Sequence, residues 1–322
     1  MHHAAQPEAA PAKAHAPFLE ADGLVKSYGG KRVVDGLSLR CHPGSVLGLL
    51  GPNGAGKTTT IRMLYGFIDP EAGTIRYDGR DFSAQRTELK RLIGVCTQED
   101  TIDQDFTVAQ NLAVYATYFR PRVADVRRRV EEILDLFGLT EHADHTPFQL
   151  SGGFKRRLHI ARSVVHGPRI LFLDEPTTGL DPRARIDLWE LVDRMRAEGM
   201  AIILTTHYMD EAEKLSDQLL VMSRGRAVAE GKPRTVIGDL LGEHVLVVDA
   251  SEARREEVEA WAKQELGDRM AVVLGQVRAP VRAEQLARFS ERFADTHFTV
   301  RPPNLEDLFL QLSIEHDEQE QA

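Results

Sequence analysis

The chain has 322 residues, 42% of them hydrophobic and 28% charged, with a net charge of −9. That length exceeds one small core and, at roughly 100–200 residues per domain, implies two units of ordinary soluble composition. The negative balance argues against general nucleic-acid binding, and no run approaches the ~18 apolar residues that a membrane helix requires.

In chain order, residues 1–16 are rich in Ala, Pro and His without the apolar segment of a signal peptide, and read as a disordered leader. From residue 17 to about 100, strands alternate with a first long helix. Ser45-Val46-Leu47-Gly48-Leu49-Leu50 reads as a short buried strand, and Thr59-Thr60-Ile61-Arg62-Met63-Leu64 as the opening of a helix. Between them stands Gly51-Pro52-Asn53-Gly54-Ala55-Gly56-Lys57-Thr58, a full match to G-x-x-x-x-G-K-[ST]. A glycine-rich turn in that setting aims several backbone N–H groups and the positive end of a helix at one anion. Gly54 and Gly56 supply the backbone freedom, Lys57 would reach the β- and γ-phosphates, and the Thr58 hydroxyl would ligate Mg²⁺. Asp78-Gly79 then marks a hairpin turn after Thr74-Ile75-Arg76-Tyr77.

Residues from about 101 to 165 are mostly helical, with apolar spacing near 3.6 over 108–115 and 130–137. Arg127-Arg128-Arg129 reads as a solvated helix face. Ser151 is a good N-cap for a helix over 154–162, whose exposed N–H groups and dipole make a second anion site. Ile170-Leu171-Phe172-Leu173-Asp174-Glu175 has the form of a buried parallel strand whose C-terminal end meets a ligand. There Asp174 can hold a Mg²⁺ shell and Glu175 can orient and deprotonate the attacking water, because phosphoryl transfer needs positioning and charge neutralisation above all. The two cysteines, Cys41 and Cys96, sit in strand contexts without metal spacing and fit a reducing cytoplasm.

The tail has a different character. Strands at 244–249, 270–274, 276–278 and 297–300, with helices at 253–261 and 283–293, give the order β-α-β-β-α-β of a small ferredoxin-like domain. A last helix begins at Leu305, with Asn304 as its N-cap.

The run Leu150-Ser151-Gly152-Gly153, taken with the phosphate loop and the carboxylate strand, resembles the signature of ABC transporter ATP-binding subunits. The chain departs from that family at Phe154, where Gln is commonest. The resemblance, covering about 17–235, implies that Gly51, Pro52, Asn53, Gly54, Ala55, Gly56, Lys57, Thr58 and Thr59 bind ATP. It implies that Tyr28 stacks on adenine and that Gln98 touches Mg²⁺ beside Thr58 and Asp174. The resemblance further implies that His207, after Ile202-Ile203-Leu204-Thr205-Thr206, contacts the γ-phosphate and shares the chemistry with Glu175 and Lys57. By the same resemblance, Ser151, Gly152 and Gly153 of one chain, with the Asp181 loop (Gly179-Leu180-Asp181), would face the ATP of a second copy in a head-to-tail homodimer. The helical insert would receive a separate transmembrane permease, placing the protein peripherally on the cytoplasmic face of the inner or plasma membrane.

The tail, with Arg301-Pro302-Pro303-Asn304-Leu305-Glu306-Asp307 and the run Gly152-Gly153-Phe154-Lys155-Arg156-Arg157-Leu158, is similar to the ABC-2 export branch, above all its lipo-oligosaccharide and drug export ATPases. The alternative is a soluble ABC ATPase of DNA repair or ribosome association. Repair proteins usually carry a long coiled coil or zinc module, whereas Lys57 and Ser151 are about 94 residues apart with no sustained heptads or cysteine cluster between them. Ribosome-associated factors carry two ATP modules, and this chain has one. The expected fold is therefore an α/β P-loop NTPase core (17–235, helical subdomain about 101–165), an α+β ferredoxin-like domain at 236–314, and a disordered tail at 315–322.

Overall fold

The computed structural model describes residues 16–98, 102–120, 122–249, 252–266, 270–273 and 275–320. Nearly all of the expected leader, residues 1–15, lies outside the described residues.

A six-stranded sheet forms the centre. Its order is Arg226–Gly231, Gln218–Ser223, Val46–Leu50, Ala201–Thr205, Ile170–Asp174, Ile93–Cys96. All neighbours are parallel except the first, antiparallel pair. Its inner strands read as unbroken apolar runs because both faces are covered. Alternation still assigns each side chain to a layer. Leu171, Leu173, Ile202 and Leu204 face a helical layer that includes Leu112, Ile133, Leu158 and Leu191. Ile170, Phe172, Ala201 and Ile203 face the opposite way, with Ile61 and Leu64 and the side chains Leu24 and Ile75 of a second, antiparallel sheet. That second sheet has the order Lys31–Cys41, Leu19–Tyr28, Ala72–Tyr77, Arg80–Asp81, and the expected Asp78-Gly79 turn joins its last two strands.

The helices over 102–165 are Val108–Ala116, Val126–Leu136 and Gly152–Val164. Each begins on a side-chain cap: Thr107, Asp125 and Ser151 accept from the backbone N–H three residues on. No described helix is long and apolar enough to cross a membrane.

The third sheet has the order Ala271–Val273, Gln276–Val281, His244–Val248, Phe298–Arg301, antiparallel throughout. With helices Glu252–Leu266 and Ala283–Arg292 it has the ferredoxin-like connection pattern. Trp261, Phe289 and Phe293 fill its own core with Leu246, Val248 and Val277.

The final helix, Leu305–Glu320, does not belong to that core. Leu305, Leu308 and Leu312 instead join Val236, Ile237 and Leu241 and pack on Leu50, Ala212 and Val221 of the central sheet's layer. Its start is fixed by a reciprocal cap: Asp307 N–H donates to Asn304 Oδ1 (3.0 Å) and Asn304 N–H to Asp307 Oδ2 (3.0 Å). Arg301 closes on the Asp307 carboxylate in bidentate fashion at 2.6 and 2.7 Å. The helix continues through 315–320, where a disordered tail was expected, because Glu and Gln are good helix formers and the chain is already nucleated upstream. Residues 321–322 lie outside the described residues.

Leu308 is buried at 3% exposure in this last contact. Leu308→Ala should destabilise the protein by about 2–5 kcal/mol, read as a lowered urea midpoint. A variant as stable as the parent would mean that the helix does not hold to the core in solution.

Candidate functional site

The phosphate loop leaves the buried strand Val46–Leu50 and enters the helix Lys57–Leu64. Gly51 has φ +149°, and a Cβ there would stand 2.1 Å from the Met222 carbonyl oxygen. Gly56 has φ +99°, and its Cβ would meet Val33 O at 2.5 Å. Both approaches are backbone to backbone, so no side chain is admitted. The helix has no side-chain N-cap, which leaves its first N–H groups to an outside acceptor. Lys57 is buried, and its Nζ donates to Gly51 O (2.6 Å) and Pro52 O (3.0 Å), lying across the loop. Burial lowers its pKa, and the negative charges of Glu175 and Asp174 oppose that shift. Thr58 is exposed at the next position.

The carboxylates arrive on the strand Ile170–Asp174. Thr205 Oγ1 donates to Asp174 Oδ1 at 2.6 Å. Glu175 N–H donates to Thr205 O (3.1 Å) and to Thr205 Oγ1 (3.2 Å). Glu175 Oε1 pairs with His207 Nε2, and Thr178 Oγ1 donates to Glu175 Oε2 at 3.3 Å. Glu175 has φ +48°, an uncommon conformation for a non-glycine residue. Such outliers persist where surrounding contacts over-determine them, often at reacting sites.

Lys57, Asp174, Glu175 and His207 therefore meet at neighbouring strand ends. The other expected residues occupy separate, exposed segments. Tyr28 ends the strand Leu19–Tyr28, half exposed, with Lys26 Nζ 5.8 Å from its ring centroid. Gln98 follows the strand Ile93–Cys96. Ser151 Oγ accepts from Phe154 N–H at 3.5 Å, and Gly153 packs where a Cβ would lie 3.0 Å from Ala184. Asp181 Oδ1 accepts from Ala184 N–H at 2.9 Å and so caps the helix Pro182–Ala197.

The donor set fits Mg²⁺. Thr58, Asp174 and Gln98 offer hard oxygen atoms, and a single carboxylate suits an ion that takes much of its shell from phosphates and water. No group of three or more His, Cys, Asp or Glu forms a metal site among the described residues.

Three residues at the site were not legible in the sequence. Thr205 holds Asp174, as described, and only its place at a strand end hinted at that. Arg156, on the helix Gly152–Val164, donates to four backbone carbonyls: Thr97, Asp174, Glu175 and Pro176. Glu211 is fully buried on the helix Met209–Leu215, where Trp189 Nε1 donates to its Oε1 at 3.1 Å. Burial raises the Glu211 pKa, opposed by the Thr206 and Thr177 hydroxyls, Trp189 and the charge of Arg185.

A family description, "ABC transporter", matches residues 34–178. The Nod factor export ATP-binding protein I of Paraburkholderia xenovorans (strain LB400) is 43% identical over 298 residues, 92% of this chain and 96% of that protein. Its namesake in Ralstonia nicotianae (strain ATCC BAA-1114 / GMI1000) is 40% identical over 92% of this chain and 94% of its own. Among solved structures, CbiO1 from Clostridium perfringens, part of the ABC transporter complex CbiONQ, is 28% identical with a TM-score of 0.64, covering 78% of this chain and 96% of its own.

Glu211 makes stability depend on pH. Its folded pKa lies above the unfolded value, so its contribution is fully present below the ordinary carboxylate range and is lost as pH rises through the folded pKa. Glu211→Gln keeps an acceptor for Trp189 and never ionises. It should raise the urea midpoint at pH 8, with the gain shrinking by pH 5. An equal or larger gain at pH 5 would contradict the sign.

Proposed function

The chain belongs to the ABC transporter family as an ATP-binding subunit, and we propose that it hydrolyses ATP to drive export of a lipo-oligosaccharide or similar amphiphile through a separate permease. The observation that carries the catalytic part is the convergence of Lys57, Asp174 and the Glu175–His207 pair beside a glycine cradle. The relatives named for Nod factor export match 92% of this chain, which favours transport over a soluble ABC ATPase and supports the proposed cargo.

In this reading the phosphates lie along residues 51–56 and adenine stacks on the exposed Tyr28 face. Lys57 leaves its loop carbonyls for the β- and γ-phosphates. Thr58, Asp174 and Gln98 would hold Mg²⁺, which when bound neutralises charge on the phosphate oxygens. Glu175, with both carboxylate oxygens already oriented by His207 and Thr178, takes the proton of the attacking water. His207 holds that carboxylate and reaches the γ-phosphate. Ser151, Gly152, Gly179 and Asp181 are exposed, and with Gly153 they remain to close on the nucleotide of a second copy. Residues 17–235 form the ATP-binding domain, with the permease docking on its helical part (about 101–165), and 236–314 an accessory domain. The subunit sits at the cytoplasmic face of the membrane and binds no nucleic acid.

Replacing Glu175 with Gln removes the base and keeps the hydrogen bonds. Steady-state hydrolysis should fall by at least about 100-fold, with ATP affinity retained in equilibrium binding. Turnover near the parent's rate would reject Glu175 as the base. The dimer is tested by mixing Ser151→Arg chains with Lys57→Ala chains. Each alone should fail to occlude ATP, whereas the mixed dimer holds one intact composite site and should occlude about one nucleotide. No occlusion, with mixed dimers shown to form, would reject the head-to-tail arrangement.

A further inference from the structure

The least expected side chain near the site is Arg156. It sits five residues beyond Ser151, about 7.5 Å along the same helix. Its three guanidinium nitrogens reach two separate stretches of backbone, one at Thr97 and one over residues 174–176. Nη1 donates to Thr97 O at 3.0 Å, next to Gln98. Nη2 donates to Asp174 O and Glu175 O, each at 3.2 Å. Nε donates to Pro176 O at 2.7 Å. Nη1 also lies 3.5 Å from His159 Nδ1, one turn along the helix. Only a planar fork with five N–H donors can make this set; an ammonium offers a single centre.

The backbone that Arg156 grips is the one most in need of support. Glu175 is held at φ +48° although it precedes Pro176, a setting that favours extended backbone. Thr205 holds its N–H from one side. Arg156 holds the carbonyls before, at and after the bend from the other. The direction in which the Glu175 side chain leaves the chain is set between these two anchors.

We infer that Arg156 is a positioning residue for hydrolysis: it fixes the strained turn that aims Glu175 and ties that aim to the helix beginning at Ser151. The inference rests on the reading of Glu175 as the base. If Ser151 meets a second copy's nucleotide, displacement of its helix moves Arg156, and with it the turn carrying Glu175 and the backbone beside Gln98. One chain's signature contact thereby bears on its own carboxylate rather than only on its partner's phosphate.

The test uses the purified full-length protein with MgATP. Arg156→Lys keeps the charge and the aliphatic stem but loses the fork; Arg156→Ala removes both. Single-turnover hydrolysis should slow roughly 10- to 100-fold in Arg156→Lys, the scale of a displaced catalytic group. Affinity for a fluorescent ATP analogue and the thermal midpoint of that variant should stay near the parent's. Guanidinium ion at millimolar concentration should restore part of the Arg156→Ala rate, with no effect on the parent. A merely structural role would lower ATP affinity and thermal midpoint together with the rate and would not be rescued. Parent-like hydrolysis by Arg156→Lys, or a loss that follows stability, overturns the inference. Glu175→Gln serves as the separate control. If it hydrolyses normally, the reading of Glu175 falls and this inference with it; if it is inert while Arg156→Lys is normal, only the inference on Arg156 falls.

Discussion

The site depends on one constraint, the register of three parallel strands. Leu49, Thr205 and Asp174 lie side by side across Val46–Leu50, Ala201–Thr205 and Ile170–Asp174. Because all three run the same way, each leaves the sheet at the same edge: one into the glycine loop, one toward His207, one into Glu175. Thr205, in the middle, bonds both neighbouring carboxylate residues, through Asp174 Oδ1 and the Glu175 N–H. A one-residue slip would exchange the layers that Leu171, Leu173, Ile202 and Leu204 face. The cost of that slip is spread over two hydrophobic cores, so the chemistry inherits its geometry from packing on both faces of the sheet.

Parts governed by local rules were readable in advance. The glycines of the loop are demanded by backbone approaches at Gly51 and Gly56, and a demand of that kind shows as a spaced motif. Ser151 and Asn304 announce helix starts through their own side chains, and both caps form. The β-α-β-β-α-β order of the tail followed from alternation and turn residues. Arg156 stands between Lys155 and Arg157, and nothing in that run says that its partners are carbonyls 18 to 59 positions away. Glu211 likewise reads as an ordinary acidic residue early in a helix. Only Trp189, Thr177 and Thr206, brought together by the fold, make it a buried carboxyl. The last helix was legible with its cap, but not the surface on which it packs. Its leucines show that it packs somewhere, and the sequence pattern does not name the surface.

Electrostatics around Lys57 follow from the same convergence. A buried ammonium is unfavourable unless its donors and charge are met. Two loop carbonyls accept from two of its three N–H bonds, and Asp174 and Glu175 supply negative charge close enough to oppose the desolvation. These are the groups that an anionic ligand with its cation would rearrange. Exchanging loop carbonyls for phosphate oxygens replaces neutral acceptors by charged ones, which are the stronger partners. The loop thus holds its lysine in place of the ligand, and less ordering is left to be done on binding.

The tail meets this machinery in a shared core. Leu50 is the last residue before Gly51, and it belongs to the same core as Leu305, Leu308 and Leu312. The ferredoxin-like unit has a separate core around Trp261 and Phe289, and it lies between Pro233–Leu241 and Leu305–Glu320, the two helices that pack against each other on the central layer. A sheet held at both ends in this way cannot shift far without straining one of those helices. Both helices contribute leucines to the core that also holds Leu50. Protein interiors are close-packed and transmit small displacements rather than absorbing them. The physical route from the accessory sheet to the glycine loop is therefore short: two anchoring helices, one shared core, and the residue that precedes Gly51.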